Sequence, residues 1–267
     1  MTALVPRRDY LAGQRRMIIA RSLLGSLAGA MPLPFVDDWA VKNVLGGGYR
    51  KVAAAHQVDL TPEAINVLVH GSAKPPSVTG MAFAGIVARV ASRAARRMMV
   101  AIAAINRARS AARTFVAMTL FDHYCAKLHT GLALDAATAM ELRSEILKAI
   151  DGTPGALAFH PFRRGVLSAA RATLRAPLEL ADIASGGRLR KLIASRSSAS
   201  DITEAERVDD MEQAMEQILA DKTNFLSRSV AAVEAQLSSE INPFLDGAIE
   251  SLDRRWRARV AAKKFDK

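Results

Sequence analysis

The side chains in this sequence best suited to chemistry sit together in Asp122-His123-Tyr124-Cys125, with His129 just beyond. On a helix, Asp122, Cys125 and His129 fall on one side, because they are spaced three and four residues apart. Carboxylate, thiolate and imidazole are all zinc donors, so the trio resembles part of a metal site. A fourth ligand is not evident, and neither CxxC nor HExxH accompanies the trio. Cys125 also lies among Phe121, Tyr124 and Leu128, which reads as core packing around a small thiol. The expectation is no cofactor and no metal, this trio being the one group that could hold an ion.

Two further clusters have simpler explanations than catalysis. Asp37-Asp38 could act as paired carboxylates, yet an acid placed after a proline turn caps a helix. Gly46-Gly47-Gly48-Tyr49-Arg50-Lys51 offers glycines and cations for a phosphate. It lacks the lysine and Ser/Thr spacing of a P-loop, and no strand precedes it, so a hinge is expected. Elsewhere, serines, histidines and acids form no local signature of a nucleophile with its base. Catalysis would need a triad assembled from distant residues.

The elements that must position these groups are helices. Half of the 267 residues are hydrophobic but only 5% are aromatic, and alanine dominates the apolar set. Strong helix formers abound and sheet signals are sparse, which points to an all-α, multi-helix bundle. A first helix is expected over Asp9 to Met31, ended by Pro32 and Pro34 because proline lacks the amide donor. Asp37 or Asp38 then caps a second helix towards Leu45, making an apolar helical hairpin. Thr61-Pro62-Glu63 is a helix start: a cap, a proline in the first turn and an acid near the positive dipole end. Gly71 ends that helix. A long helical pattern runs from Thr79 to about His129, broken near Asn106, with Gly131 as C-cap. Asp135 opens another helix through Ile150. The serine-rich loop Ser195 to Ser200 divides an apolar core domain with a basic lead, 1–195, from a C-terminal amphipathic arm, 201–267. That arm is read as one long helix from Thr203 to about Ile241, then a basic helix carrying Arg254, Arg255, Trp256, Arg257 and Arg259.

Charge is unevenly distributed. Lys and Arg outnumber Asp and Glu by 37 to 26, a net charge of +11, which favours an acidic partner. No Asp or Glu occurs between Ala64 and Phe121, whereas Arg89, Arg93, Arg96, Arg97 and Arg107 lie within that stretch. At about 100° per residue these five arginines gather on one helix face, opposite Val90, Ala94, Met98, Ile102 and Ile105. A basic stripe beside an apolar face suits an anionic membrane surface or an acidic protein face. The alternative is a solvated arginine face, or one neutralised by the acidic segment Asp201 to Glu216. Nucleic acid is disfavoured, since no aromatic residues interleave with the arginines to stack bases.

The apolar run Met17 to Val36 tests for export or anchoring. Arg7-Arg8 ahead of it looks like a twin-arginine signal, but Arg15, Arg16 and Arg21 intrude where such a signal is uncharged. Its uncharged part, Ser22 to Val36, is shorter than the ~20 residues of a spanning helix and holds two prolines. The single cysteine excludes an internal disulfide, which fits a reducing compartment. A cytoplasmic protein, peripheral to the inner membrane, is expected.

Pro32-Leu33-Pro34-Phe35-Val36-Asp37, at the end of this small-residue helix, resembles the turn of YcjF-like and EcsC-like bacterial helical domains. The resemblance spans about residues 17–70. The Leu-Ala-x-x-Tyr-Gly-like stop that follows in those domains is replaced here by Val52-Ala53-Ala54-Ala55-His56-Gln57. The resemblance implies a helical, membrane-associated protein and transfers no catalytic residue. The function expected is thus a non-enzymatic, membrane-associated interaction or scaffold protein. A soluble helical adaptor or homo-oligomer is the alternative, and an enzyme with a dispersed site ranks below both.

Overall fold

A computed structural model of the chain describes residues 8–28, 36–72, 93–153, 162, 213, 216–217, 219–221, 225–239 and 243–265. A 3-10 turn, Asp9–Leu11, leads into α1, Ala12–Ala28, and α2 follows over Val36–Ala55. Leu45 packs on Gly25 while Gly48 packs on Arg21, so the two helices run antiparallel as a hairpin. Pro32 and Pro34 lie outside the described residues. Asp37 falls in the first turn of α2, which begins one residue before it, so it is not the cap itself. An acid in the first turn of a helix is favoured by the dipole's positive end.

The glycine triplet is not a hinge. Helix α2 runs through Gly46, Gly47 and Gly48 without a break, and Gly46 and Gly48 permit close approach by neighbouring side chains. A Cβ on Gly48 would stand 2.8 Å from Arg21 Cδ and 2.9 Å from Met118 Cε, and one on Gly46 would stand 3.0 Å from Ile65. Arg21 is fully buried in the space this leaves, its Nη1 donating to the Val44 carbonyl at 2.7 Å. Three helices therefore meet where α2 has no side chain.

After α2 the chain turns at Gln57 (φ +58°) into β1, Asp59–Leu60, and then α3, Pro62–His70. Thr61 caps α3 by accepting from the Ala64 amide, and Gly71 closes it in the left-handed region. Arg143 covers that end, donating from Nε to the Leu68 carbonyl at 3.2 Å. The same order recurs. Helix α4, Arg93–Lys127, leads through Gly131 (φ +120°) to β2, Ala133–Leu134, and to α5, Ala136–Asp151. Asp135 caps α5 as expected, by accepting from the Thr138 amide. β1 and β2 pair in parallel, Asp59 opposite Ala133 and Leu60 opposite Leu134. In that register Gln57 matches Gly131 and Thr61 matches Asp135. The two helix–strand–helix units are thus alike, although their sequences show no repeat.

Two expectations change here. Helix α4 is continuous through Asn106, and it stops at Lys127 rather than running to a cap at Gly131. The C-terminal segment is not one long helix. Asp221 leaves the helical path, and α6, Phe225–Ser239, starts afresh before α7, Pro243–Phe265. Asp221, where the helical path ends, is a weak helix former, in keeping with a break there.

The fold is all-α apart from the two-residue pairing. Helix α4 is its axis, packed against α1, α2, α5 and α7, while α3 lies on α5 and α6 lies on α1. From Met118 to Cys125 every residue of α4 is buried, so this stretch is enclosed on all sides. Leu226, Val230, Val233, Ala248, Ile249, Leu252 and Trp256 from α6 and α7 join the same core as Ile18, Leu23, Val52 and Leu142. The proposed boundary at 195–201 lies outside the described residues.

Gly48→Val is expected to destabilise the fold by about 1–3 kcal/mol through overpacking. Gly13, whose added Cβ would meet nothing within 4 Å, should gain about 0.5 kcal/mol as alanine. Urea melts of both variants check this, and a tolerated Gly48→Val would show that α2 can move off Arg21 and Met118.

Candidate functional site

Enclosure of α4 forces its polar side chains to find partners. Asp122 is completely buried and His123 is 4% exposed. His56, just past the end of α2, places Nε2 2.6 Å from Asp122 Oδ1. Burial pushes the Asp122 carboxyl above the usual carboxylate range, and the hydrogen bond from His56 opposes part of that rise. Asp122 Oδ2 is buried without a hydrogen bond among the described residues, so the dyad carries an unrepaid desolvation cost.

His123 stands at the centre of a second chain of contacts. Its Nε2 lies 2.7 Å from Asp253 Oδ1 on α7, and its Nδ1 lies 2.5 Å from the Tyr10 hydroxyl in the 3-10 turn. A carboxylate only accepts, so Nε2–H donates to Asp253, and Nδ1 is left to accept from Tyr10. Burial lowers the His123 pKa, with the nearby Asp253 carboxylate pulling the other way. The Tyr10 phenol is pushed up by its own burial, against the pull of Arg8. The order hydroxyl, imidazole, carboxylate is that of an activated nucleophile. Here the hydroxyl belongs to a phenol kept protonated, and the contacts join three separate segments. A cavity of about 40 Å³ lined by Leu11, Arg15, Phe115, Thr119, Leu237 and Leu245 lies one turn away along α4. That is room for water but not for a substrate. The arrangement works as a latch: Tyr10 and Asp253 are clamped to α4, with Arg8 and Asp246 adding a second tie at 3.1 Å.

The Asp122, Cys125 and His129 trio is not brought together. Asp122 faces His56, while His129 Nδ1 is 3.2 Å from the Tyr124 hydroxyl. Cys125 is buried, and burial raises its thiol pKa, so it stays protonated. The physical reason is the end of α4 at Lys127, which takes His129 off the shared face. Among the described residues no three His, Cys, Asp or Glu side chains gather to hold an ion.

Of the arginine stripe, Arg89 lies outside the described residues. Arg93, Arg96 and Arg97 lie in the first turns of α4, and Arg107 is half-buried, its pKa drawn down by that burial. From Ala108 onward one side of α4 enters the core while Arg109 and Ser110 stay exposed, and Arg113 is paired with Asp151 at 3.0 Å. On α7, Arg259 meets Glu141 Oε2 at 3.1 Å and Glu145 Oε1 at 3.2 Å, and Lys263 meets Glu141 at 2.6 Å. These cations hold the Glu141 carboxyl below its ordinary value.

Comparison with protein-family models, curated proteins and solved structures returns no match. The residues that sequence reading missed are His56, Tyr10 and Asp253, each far in sequence from its partner. The one available signal was polarity in an otherwise apolar helix: Asp122 and His123 needed partners, although nothing in sequence said which.

The pH dependence of stability follows from His123. Its folded pKa lies below the ordinary imidazole value of 6.5, so below pH 6.5 the unfolded chain takes up a proton first and stability falls. The loss is complete once pH drops past the folded pKa. Asp122 runs the opposite way: its contribution is full below 3.8 and is lost as pH rises through its raised folded pKa. His123→Gln, which keeps a donor and an acceptor, is expected to flatten the fall in urea stability between about pH 7 and pH 5. An unchanged slope would remove His123 as its source. Tyr10→Phe should cost about 1 kcal/mol at neutral pH.

Proposed function

We propose that this chain is a non-enzymatic helical interaction protein that docks peripherally on the cytoplasmic face of the bacterial inner membrane. The observation that carries this is charge that the fold leaves over. Asp122, Asp246, Asp253, Glu141, Glu145 and Asp151 are each engaged by a cation or histidine of the same chain. Lys and Arg still exceed Asp and Glu by 37 to 26, so surplus cations remain for an outside anion. Among the described residues, no helix is long and apolar enough to cross a membrane, which favours surface attachment over insertion. The likeness of residues 17–70 to YcjF-like and EcsC-like domains supports the same reading.

A second reading, the soluble adaptor, has its own observation. Basic and acidic helices already pair within the chain, α7 with α5 through Arg259 and Lys263, and Lys51 with Glu216. Cell fractionation separates the two. The membrane reading expects the protein in the membrane pellet at low salt and its release by about 1 M NaCl, where the screening length shrinks to roughly 3 Å. Recovery in the soluble fraction at low salt, as a defined oligomer in sedimentation, would favour the adaptor and sink the membrane reading.

A further inference from the structure

The geometry points to the outward face of α7, carrying Arg254, Arg255 and Arg257, as the surface that seats anionic phospholipid headgroups. This deepens the membrane reading above and rests on it. The inward side of α7 is fixed. Trp256 is buried edge-on against Tyr124, with ring centroids 5.0 Å apart and planes at 84°, and Ala248, Ile249 and Leu252 are buried beside it. Arg259 and Lys263 then pin one flank to Glu141 and Glu145. With the helix locked about its own axis, at about 100° per residue Arg254 stands opposite Leu252 and Trp256. Arg257 and Arg255 lie to either side of it. All three arginines are exposed, as are Ala258 and Ala261 between them.

Among the described residues these cations have few partners. Arg254 has no hydrogen bond or ion pair among the described residues. Arg255 donates to the Ser251 hydroxyl at 3.3 Å. Arg257 reaches Asp253 only at 3.9 Å, on a carboxylate already engaged by His123. Glu250 shares the exposed side, so the face carries three positive charges against one negative. A guanidinium pairs with a phosphate through two parallel hydrogen bonds. The alanines keep the strip low, so a layer of headgroups can approach several arginines together. Trp256 faces inward, so among the described side chains of α7 no exposed ring stands beside the arginines to stack a base. Among the described side chains of α7, Val260, at 41% exposure, is the only large apolar one exposed to that degree, far short of the apolar centre of a stable protein interface. On α4, Arg107 is half-buried and Arg113 is paired with Asp151, so these two suit the task less.

The test is co-sedimentation of the full chain with vesicles of phosphatidylglycerol and phosphatidylethanolamine, set against phosphatidylcholine alone. The wild type should bind the anionic vesicles and ignore the neutral ones. Arg254→Gln/Arg255→Gln/Arg257→Gln should weaken that binding by at least about tenfold, since each cation near an anionic surface contributes several-fold. The same three positions changed to Lys should retain most of it. Arg93→Gln/Arg96→Gln/Arg97→Gln should bind within a few-fold of wild type. If the glutamine triple variant loses its fold by circular dichroism, Arg254→Glu alone serves, and several-fold weakening is expected. Wild type that binds, with the α7 variants binding equally well, would overturn the assignment to α7 and leave the membrane reading standing. Wild type that ignores anionic vesicles would overturn both.

Discussion

A helix enclosed on every side must satisfy each polar group it carries from its neighbours, and α4 carries Asp122 and His123 in succession. Successive residues on a helix point about 100° apart, so the two cannot share a partner. Asp122 therefore recruits His56 from the end of α2, and His123 recruits Asp253 from α7 and Tyr10 from the 3-10 turn. Two adjacent side chains thus decide which segments lie on two different sides of the axis. The apolar core would tolerate other packings of alanine-rich helices, because small side chains specify geometry weakly. Buried polar contacts of fixed partner and direction narrow that choice.

Close approach is the second ingredient. Gly48 lets Arg21 and Met118 meet on the surface of α2, and Gly25 lets Leu45 settle on α1. The fully buried Arg21 is therefore part of the hairpin that it interrupts in sequence. Outside this packed interior, charge is handled differently on the two sides of α7. Its inner flank is neutralised by Glu141 and Glu145, and its outer face is left cationic.

Much of this was legible from residue type alone. Helix starts at Thr61 and Asp135 follow from cap chemistry, which is local, and both hold to the residue. The all-α class follows from composition. The glycine triplet misled, because glycine's backbone freedom and its lack of a side chain leave the same letter in the sequence. Here the second property is the one used. The division of the C-terminal segment at Asp221 was visible as a polar run but was outweighed by the apolar periodicity on either side. The pairings of His56, Tyr10 and Asp253 were not legible at all. They depend on how helices dock across more than sixty residues, and no local rule encodes that.

The parallel pairing of Asp59–Leu60 with Ala133–Leu134 is tiny, yet it acts as a gauge. An antiparallel pair can be closed by a tight turn, whereas a parallel one needs a long crossover. This ladder therefore forms only when two separately built units meet. Each strand runs straight into a helix cap, Thr61 in one unit and Asp135 in the other, so the ladder's register is also the register of α3 against α5. A slip of one residue would turn every side chain of a strand to its opposite face, Leu134 among them, which is fully buried. Four residues thus hold the two units in one phase, since an assembly one step out would turn Leu134 away from the core.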